Sequence, residues 1–320
     1  MVIEASKTRN WSQYNAAAKK SGAITFYISQ EAIADWYNEN SSGERGASDI
    51  YSDMAIEACL TLKVAYGLSL RKANGFIQSV FDLMKLKIKC PDYTTLCRRA
   101  QYIKPIFARP ATTEPIVVAF DSTGIKVYGE GEWKVRQHGV SKRRTWLKLH
   151  MAVNVHNHHI ESFAVTANNV ADSEVAPSLF RAIRAPIKAC SGDGAYDAEA
   201  VYQAAEDVGA ILIVPPRRGA IMQNPANAIT AKASRDAAIT YINQHGASEN
   251  ARKAWKQASG YHARSLSETA MYRFKTHCSP SVRARVFKNQ RAEIAIKVKI
   301  LNKKAALGTF PLNRSAALDR

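Results

Sequence analysis

The spacing of apolar positions changes along this chain. From Ser48 to Tyr66, the residues Ile50, Met54, Ala55, Ala58, Leu62 and Ala65 recur at helical intervals, and Gly67 fits a stop. Ser69 is placed to cap a second helix carrying Ala73, Phe76, Ile77, Val80, Phe81 and Met84. A loop over Lys85–Pro91 follows. Asp92 then reads as the N-cap of a third helix, Tyr93 to Tyr102, which bears Arg98 and Arg99. Three short helices ending in a basic one predict a helix-turn-helix-like domain over residues 1–110. The competing reading is a small bundle that only packs.

Past residue 110 the period shortens. Ile116 opens an apolar run to Phe120, after a linker bracketed by Pro110 and Pro115. Trp146 to Val155 alternates polar and apolar positions, the period of a half-buried strand. His156–His159 reads as a hairpin turn into a strand over Ile160–Ala167. Asp172 or Ser173 caps a helix through Val175, Leu179, Phe180 and Ile183. A strand at Ile187–Ser191, an amphipathic helix at Ala198–Val208 and a strand at Ile211–Val214 complete the series. The order β-β-β-α-β-α-β, a meander followed by two crossovers, is that of a ribonuclease-H-like sheet. Residues 217–259 are polar and basic and read as a mainly helical insertion, and Ala292–Leu301 as a final helix. The expectation is a mixed α/β fold, with a helical domain at 1–110 and a ribonuclease-H-like domain at 111–320.

Charge adds a partner to this picture. Lys plus Arg against Asp plus Glu is 15 to 10 over residues 1–110, 12 to 12 over 111–228, and 18 to 5 over 229–320. Basic flanks around a neutral centre predict nucleic acid held across it. The five cysteines are odd in number and form no Cys-x-x-Cys pair, which predicts free thiols and no structural zinc site. No apolar stretch is long enough to span a bilayer, and Met1–Asn10 lacks a secretory pattern, so the expected location is cytoplasmic.

Three carboxylates carry the candidate chemistry. Asp121 follows five apolar residues, Asp193 sits between Gly192 and Gly194 just after a strand, and Glu268 opens a later helix. Two Asp and one Glu suffice to hold a pair of Mg²⁺ ions, which at about 3.5–4 Å apart activate both oxygens of an in-line phosphodiester displacement. Asp197 is a rival to Asp193 but reads as a helix N-cap. Ser265-Leu266-Ser267-Glu268 is also a capping-box pattern, in which Glu268 would only finish a helix start. Against that stands the spacing of Arg264 and Lys275, four before and seven after Glu268, which on a continuous helix share its face with Tyr261 nearby. If the helix begins only at Ser265, Tyr261 and Arg264 approach from the preceding loop. For His156, His158 and His159 a turn is favoured over a metal site.

The set Asp121, Asp193 and Glu268 within Tyr-x₂-Arg-x₃-Glu-x₆-Lys (Tyr261, Arg264, Glu268, Lys275) resembles the DDE transposases of bacterial insertion sequences. Ala119–Gly124, Gly192–Asp197 and the opening Asn10–Asn15 suggest the insertion-sequence-five family. The resemblance implies catalysis and metal binding by the three carboxylates, with Mg²⁺ as cofactor and Mn²⁺ as substitute. It implies cleavage at terminal inverted repeats and attack of the freed 3′-OH on target double-stranded DNA, by a homodimer or higher multimer, in the bacterial nucleoid. Tyr261, Arg264 and Lys275 would position DNA phosphates. The basic run Lys142-Arg143-Arg144 reads either as a strand-holding surface or as an exposed charged hairpin. The rival functions are a catalytically silent DNA-binding protein and another ribonuclease-H-like nuclease.

Overall fold

The computed structural model describes residues 11–38, 50–103, 105, 112–127, 146–224 and 229–308. The chain divides into two compact units that do not follow it linearly. The first combines the described parts of 1–108, 126–144 and 274–311, and the second those of 109–125, 145–273 and 312–320.

In the first unit, helices α1 (Trp11–Gly22) and α2 (Gln30–Ala34) precede α3 (Asp53–Ala65), α4 (Leu70–Leu83) and α5 (Tyr93–Ala100). Ser52, Ser69 and Asp92 cap the last three, each side chain accepting a main-chain N–H of the first turn. The first of these helices begins later than its apolar spacing predicts, because Trp36 O and Ile50 O are engaged by the strand-like pairing around Tyr37 and Tyr51. Ala55, Ile56, Leu62, Ala73, Ile77, Phe81 and Leu96 form one core around Trp36. The Trp36 indole N–H donates to Lys89 O at 2.9 Å.

The C-terminal helix α11 (Phe287–Ala306) belongs to this same core through Ile296 and Ile300, which departs from the linear division expected at residue 110. The reason is visible in its polar residues as well. Glu293 pairs with Lys63 at 3.2 Å, both side chains almost fully buried, and accepts the main-chain N–H groups of Arg283 and Ala284. Such a pair is costly to bury unless its remaining valences are satisfied, and both oxygens of Glu293 are engaged.

The second unit is built on a sheet. Strands β1 (Ile116–Val127), β2 (Trp146–Asn154), β3 (Ile160–Ala167), β4 (Ile187–Ser191) and β5 (Ile211–Ile213) lie in the order β3-β2-β1-β4-β5, with β2/β3 antiparallel and β1/β4 and β4/β5 parallel. Lys126 and Val127, counted with the first unit, pair with the short β6 (Ser281–Val282). Helices α6 (Asp172–Ala182) and α7 (Glu199–Glu206) make the two crossovers. Side chains alternate along β1: Ile116, Val118 and Phe120 face the core with Leu179, Phe180, Tyr196 and Val201, while Val117 and Ala119 face Leu266. The expected insertion contains α8 (Ala233–Gln244) and α9 (Glu249–Ala258), and α10 (Ser265–Cys278) follows. Among the described residues, no helix is long and apolar enough to cross a membrane.

Candidate active site

Asp121 lies within β1 rather than at its end, since the strand runs on to Val127. Alternation puts it on the Val117/Ala119 face, toward the start of α10. Its Oδ1 accepts the Ser122 main-chain N–H at 2.8 Å. Its Oδ2 is 3.2 Å from Ser267 Oγ and 3.4 Å from Arg264 Nη1. Burial pushes the Asp121 carboxyl above the ordinary carboxylate range; the Ser122 N–H, Arg264 and Ser267 oppose this, and the charge of Asp193 adds to it.

Asp193 follows β4 and caps a single 3₁₀ turn, Gly194–Tyr196, by accepting the Ala195 N–H at 2.9 Å. The glycine before it is required by packing: a Cβ on Gly192 would lie 2.7 Å from Cδ2 of the Tyr196 ring. Tyr196 is 1% exposed, and burial followed by the charges of Asp172, Asp121 and Asp193 pushes its phenol well up.

Asp197 is a different kind of residue. The N-cap position of α7 is Ala198, so the expected capping role is not what Asp197 performs. Its carboxylate accepts the Tyr202 hydroxyl at 3.1 Å, the Arg217 N–H at 3.0 Å and Arg235 Nε at 3.0 Å, which ties the insertion to the sheet and leaves little capacity for a ligand.

Glu268 sits in the first turn of α10, its side chain more than half exposed. The continuous helical stripe through Tyr261, Arg264 and Glu268 is not formed. Gly260 adopts a left-handed conformation (φ 72°) after α9, and Tyr261–Arg264 is a 3₁₀ turn that enters α10 at Ser265. The two residues approach from that turn, and the carboxylate of Glu268 is engaged by Arg264 Nη2. Burial lowers the Arg264 guanidinium, but Tyr261, Glu268 and Asp121 outweigh it and hold the group above its ordinary value. The Tyr261 ring is covered by cations, with Lys256 Nζ at 5.5 Å and Arg264 Cζ at 5.8 Å from its centroid, and it lies 6.1 Å from the Trp255 ring. Lys275 is seven residues beyond Glu268 on α10, two turns along the same helix.

The remaining expected residues separate. Arg99 is spent on structure, with Nη2 at 2.6 Å from Asp53 and Nη1 at 2.9 Å from Tyr51 O. Arg98 is exposed and lines a cavity of about 880 Å³ in the first unit together with Arg71, Arg283 and Arg285. Lys142, Arg143 and Arg144 lie outside the described residues. Sequence reasoning did not find Ser267 as a neighbour of Asp121; the Gly192-Asp193-Gly194 spacing hinted at close packing without saying that it is against Tyr196.

Among the described residues, no three His, Cys, Asp or Glu side chains converge tightly enough to chelate one ion. The carboxylates of Asp121, Asp193 and Glu268 are hard oxygen donors of the kind a magnesium-type ion takes. The repulsion between Asp121 and Asp193 is of the kind a shared cation relieves. Asp121, Arg264 and Glu268 are in contact through the one guanidinium, with the Tyr261 ring beside it. Residues 112–303 match the family profile described as transposase DDE domain, and residues 19–130 match a second profile of the same description. The chain belongs to the DDE transposase family. Membership makes it a DNA-cleaving and strand-transferring enzyme of a class that generally uses divalent metal ions.

Proposed function

We propose that this transposase binds the terminal inverted repeats of an insertion sequence, cleaves at the element ends and joins the freed 3′-OH to target DNA, with Asp121, Asp193 and Glu268 as the catalytic, metal-holding set. The observation that carries the reading is Arg264, which contacts Asp121 and Glu268 together and so gathers residues from the sheet and from α10 around one point. The β3-β2-β1-β4-β5 order supports a ribonuclease-H-like catalytic domain, and the intact Tyr261-Arg264-Glu268-Lys275 spacing supports the insertion-sequence-five group.

When bound, two Mg²⁺ ions (or Mn²⁺) would sharpen the attacking oxygen and stabilise the leaving one. The protein's own part is to hold and orient. Asp121 lies in β1 and Asp193 just past the end of β4, the parallel strand paired with it, so both are carried by the same part of the sheet. Arg264 and Tyr261 are poised to receive a phosphate at the edge of the carboxylate set, and Lys275 extends the cationic surface along α10. Arg98 and its neighbours Arg71, Arg283 and Arg285 contribute affinity for duplex DNA in the helical, DNA-binding domain. Two ends must be cut in concert, which calls for at least a homodimer on DNA, in the bacterial cytoplasm where the nucleoid lies.

The test is cleavage and strand transfer with Mg²⁺ on DNA carrying the inverted repeats that flank the gene. Asp121→Ala, Asp193→Ala and Glu268→Ala are expected to bind the repeats and cut nothing; normal cutting by Asp121→Ala would end the proposal.

A further inference from the structure

Lys256 is not part of the Tyr-Arg-Glu-Lys spacing, yet the fold brings it to the same tyrosine. It stands near the end of α9, inside the stretch that reads as an insertion. This helix is anchored along its length. Arg252 Nη1 donates to Pro216 O at 2.7 Å and Nη2 to Arg217 O at 3.2 Å, which ties α9 to the chain just past β5. Trp255 packs with Ala238, Ile242 and Ala251 in a small core, which ties α9 to α8. Gly260 then turns the chain in a left-handed conformation (φ 72°), and the Tyr261 ring comes to lie 6.1 Å from the Trp255 ring. Trp255 thus holds the helix, and the next residue, Lys256, is delivered to Tyr261 with its Nζ 5.5 Å from the ring centroid.

Two cations meet at this ring, and they differ in what else they touch. Arg264, with Cζ 5.8 Å from the centroid, is in contact with Asp121 and Glu268, so two carboxylates offset its charge. Lys256 makes no ion pair with any carboxylate among the described residues. Its side chain is half-buried against the ring, which fixes where the ammonium sits without using up its three hydrogen-bond donors. The uncompensated positive charge at Tyr261 is therefore that of Lys256, and an anion drawn to the tyrosine meets it.

We infer that Lys256 is a substrate-positioning residue that binds a DNA phosphate beside the one received by Tyr261 and Arg264, so that the insertion itself helps to hold the element end. The inference rests on the reading of Asp121, Asp193 and Glu268 as the catalytic set with Tyr261 and Arg264 facing phosphate. A cation that neutralises one phosphate releases its counterion, so its removal flattens the log–log salt dependence of binding by about 0.9. A lysine that only packs on a ring leaves that slope alone.

The experiment uses the full-length chain and repeat-end DNA, with Lys256→Met, Lys256→Arg and, as control, Asp121→Ala. Methionine keeps an unbranched stem against the ring and removes the charge. Binding is measured without divalent metal, so that nothing is cut, over a series of salt concentrations. Cleavage with Mg²⁺ at limiting and saturating DNA separates KM from kcat, and thermal unfolding monitors the fold. DNA ends in which single phosphates are replaced by uncharged methylphosphonates locate the contact. Lys256→Met is expected to weaken end binding about tenfold and to flatten the salt slope by about 0.9, with a larger effect on KM than on kcat and a nearly unchanged melting temperature. Lys256→Arg is expected to restore the slope and most of the affinity. One methylphosphonate near the cut is expected to cost the wild type about tenfold in affinity and Lys256→Met almost nothing. Wild-type affinity and slope in Lys256→Met would overturn the inference, as would a scan in which every replaced phosphate costs both proteins alike. If Lys256→Met is normal while Asp121→Ala binds and cuts nothing, only the role of Lys256 fails; if Asp121→Ala cuts normally, the reading beneath it fails too.

Discussion

Arg264 Nη1 lies 3.4 Å from Asp121 Oδ2, while the other terminal nitrogen of the same guanidinium contacts Glu268. One planar cation spans two carboxylates that are far apart in the chain. A lysine at this position carries the charge but not the fork. Arg264→Ala and Arg264→Lys are both expected to slow end cleavage by about 100-fold, with lysine recovering less than a tenth of the loss. Single-turnover cleavage of repeat-end DNA measures this, and near-normal cleavage by Arg264→Lys would show that charge alone is needed.

Asp121 and Asp172 should respond to acid in opposite senses. The Asp121 carboxyl is raised by burial, so the folded chain binds its proton more tightly than the unfolded chain does. Near neutral pH the ionised group opposes folding, and the opposition fades as pH falls through the raised value. Asp121→Asn is therefore expected to raise the melting temperature of the metal-free protein by about 1–3 °C while abolishing cleavage. Asp172 is held down at about 2, so its contribution is present above the unfolded carboxyl value of 3.8 and is lost between there and about 2. Asp172→Asn should flatten stability across that window. Melting temperatures from pH 7 down to 2 decide both points, and a lower melting temperature for Asp121→Asn at neutral pH contradicts the first.

Gly192 is held by a ring rather than by its torsion angles. An added Cβ would be 2.7 Å from Tyr196 Cδ2 and 2.9 Å from Cγ, and the ring is buried too deeply to swing away. Gly192→Ala is expected to cost about 1–3 kcal/mol. In a background of Tyr196→Ala the same change should cost little, because the clash has gone. Urea unfolding of the two single variants and the double variant tests this coupling; simple additivity would rule out the clash as the cause.

Arg98 and Arg99 are adjacent but should fail differently. Arg99→Ala removes contacts to Asp53 and Tyr51 O and is expected to destabilise the helical unit by about 1–2 kcal/mol. Arg98→Ala, on the cavity wall, is expected to leave stability alone and to weaken repeat-end binding with a shallower salt dependence. Melting curves and binding at two salt concentrations separate them. Equal loss of DNA affinity in both variants would return Arg99 to the binding surface.

Local signals succeeded where the relevant forces are local. Ser69 and Asp92 cap the helices their positions suggested, because a capping side chain bonds only to the next few residues. The strands Ile160–Ala167 and Ile187–Ser191 are bounded as their patterning indicated. The opening helices at 11–34 carried no comparably clear stripe, and α11 runs beyond both ends of the apolar segment that announced it. Asp197 was misjudged because a capping residue and a buried ion-pair residue look alike until Arg235 and Arg217, far along the chain, are brought to it.

The sequence by itself determined the class of elements, their order, and the three acidic positions with the Tyr-Arg-Glu-Lys spacing around the last, because periodicity and motif spacing are properties of neighbours. Only the tertiary structure decided that Arg264 meets Asp121 from a 3₁₀ turn rather than a helix face, that α11 belongs with the N-terminal helices, and that Asp197 meets Arg217 and Arg235. Each of these depends on a close approach between distant segments, set by how buried surfaces fit and which buried polar groups must be satisfied, and no window of the chain contains both partners.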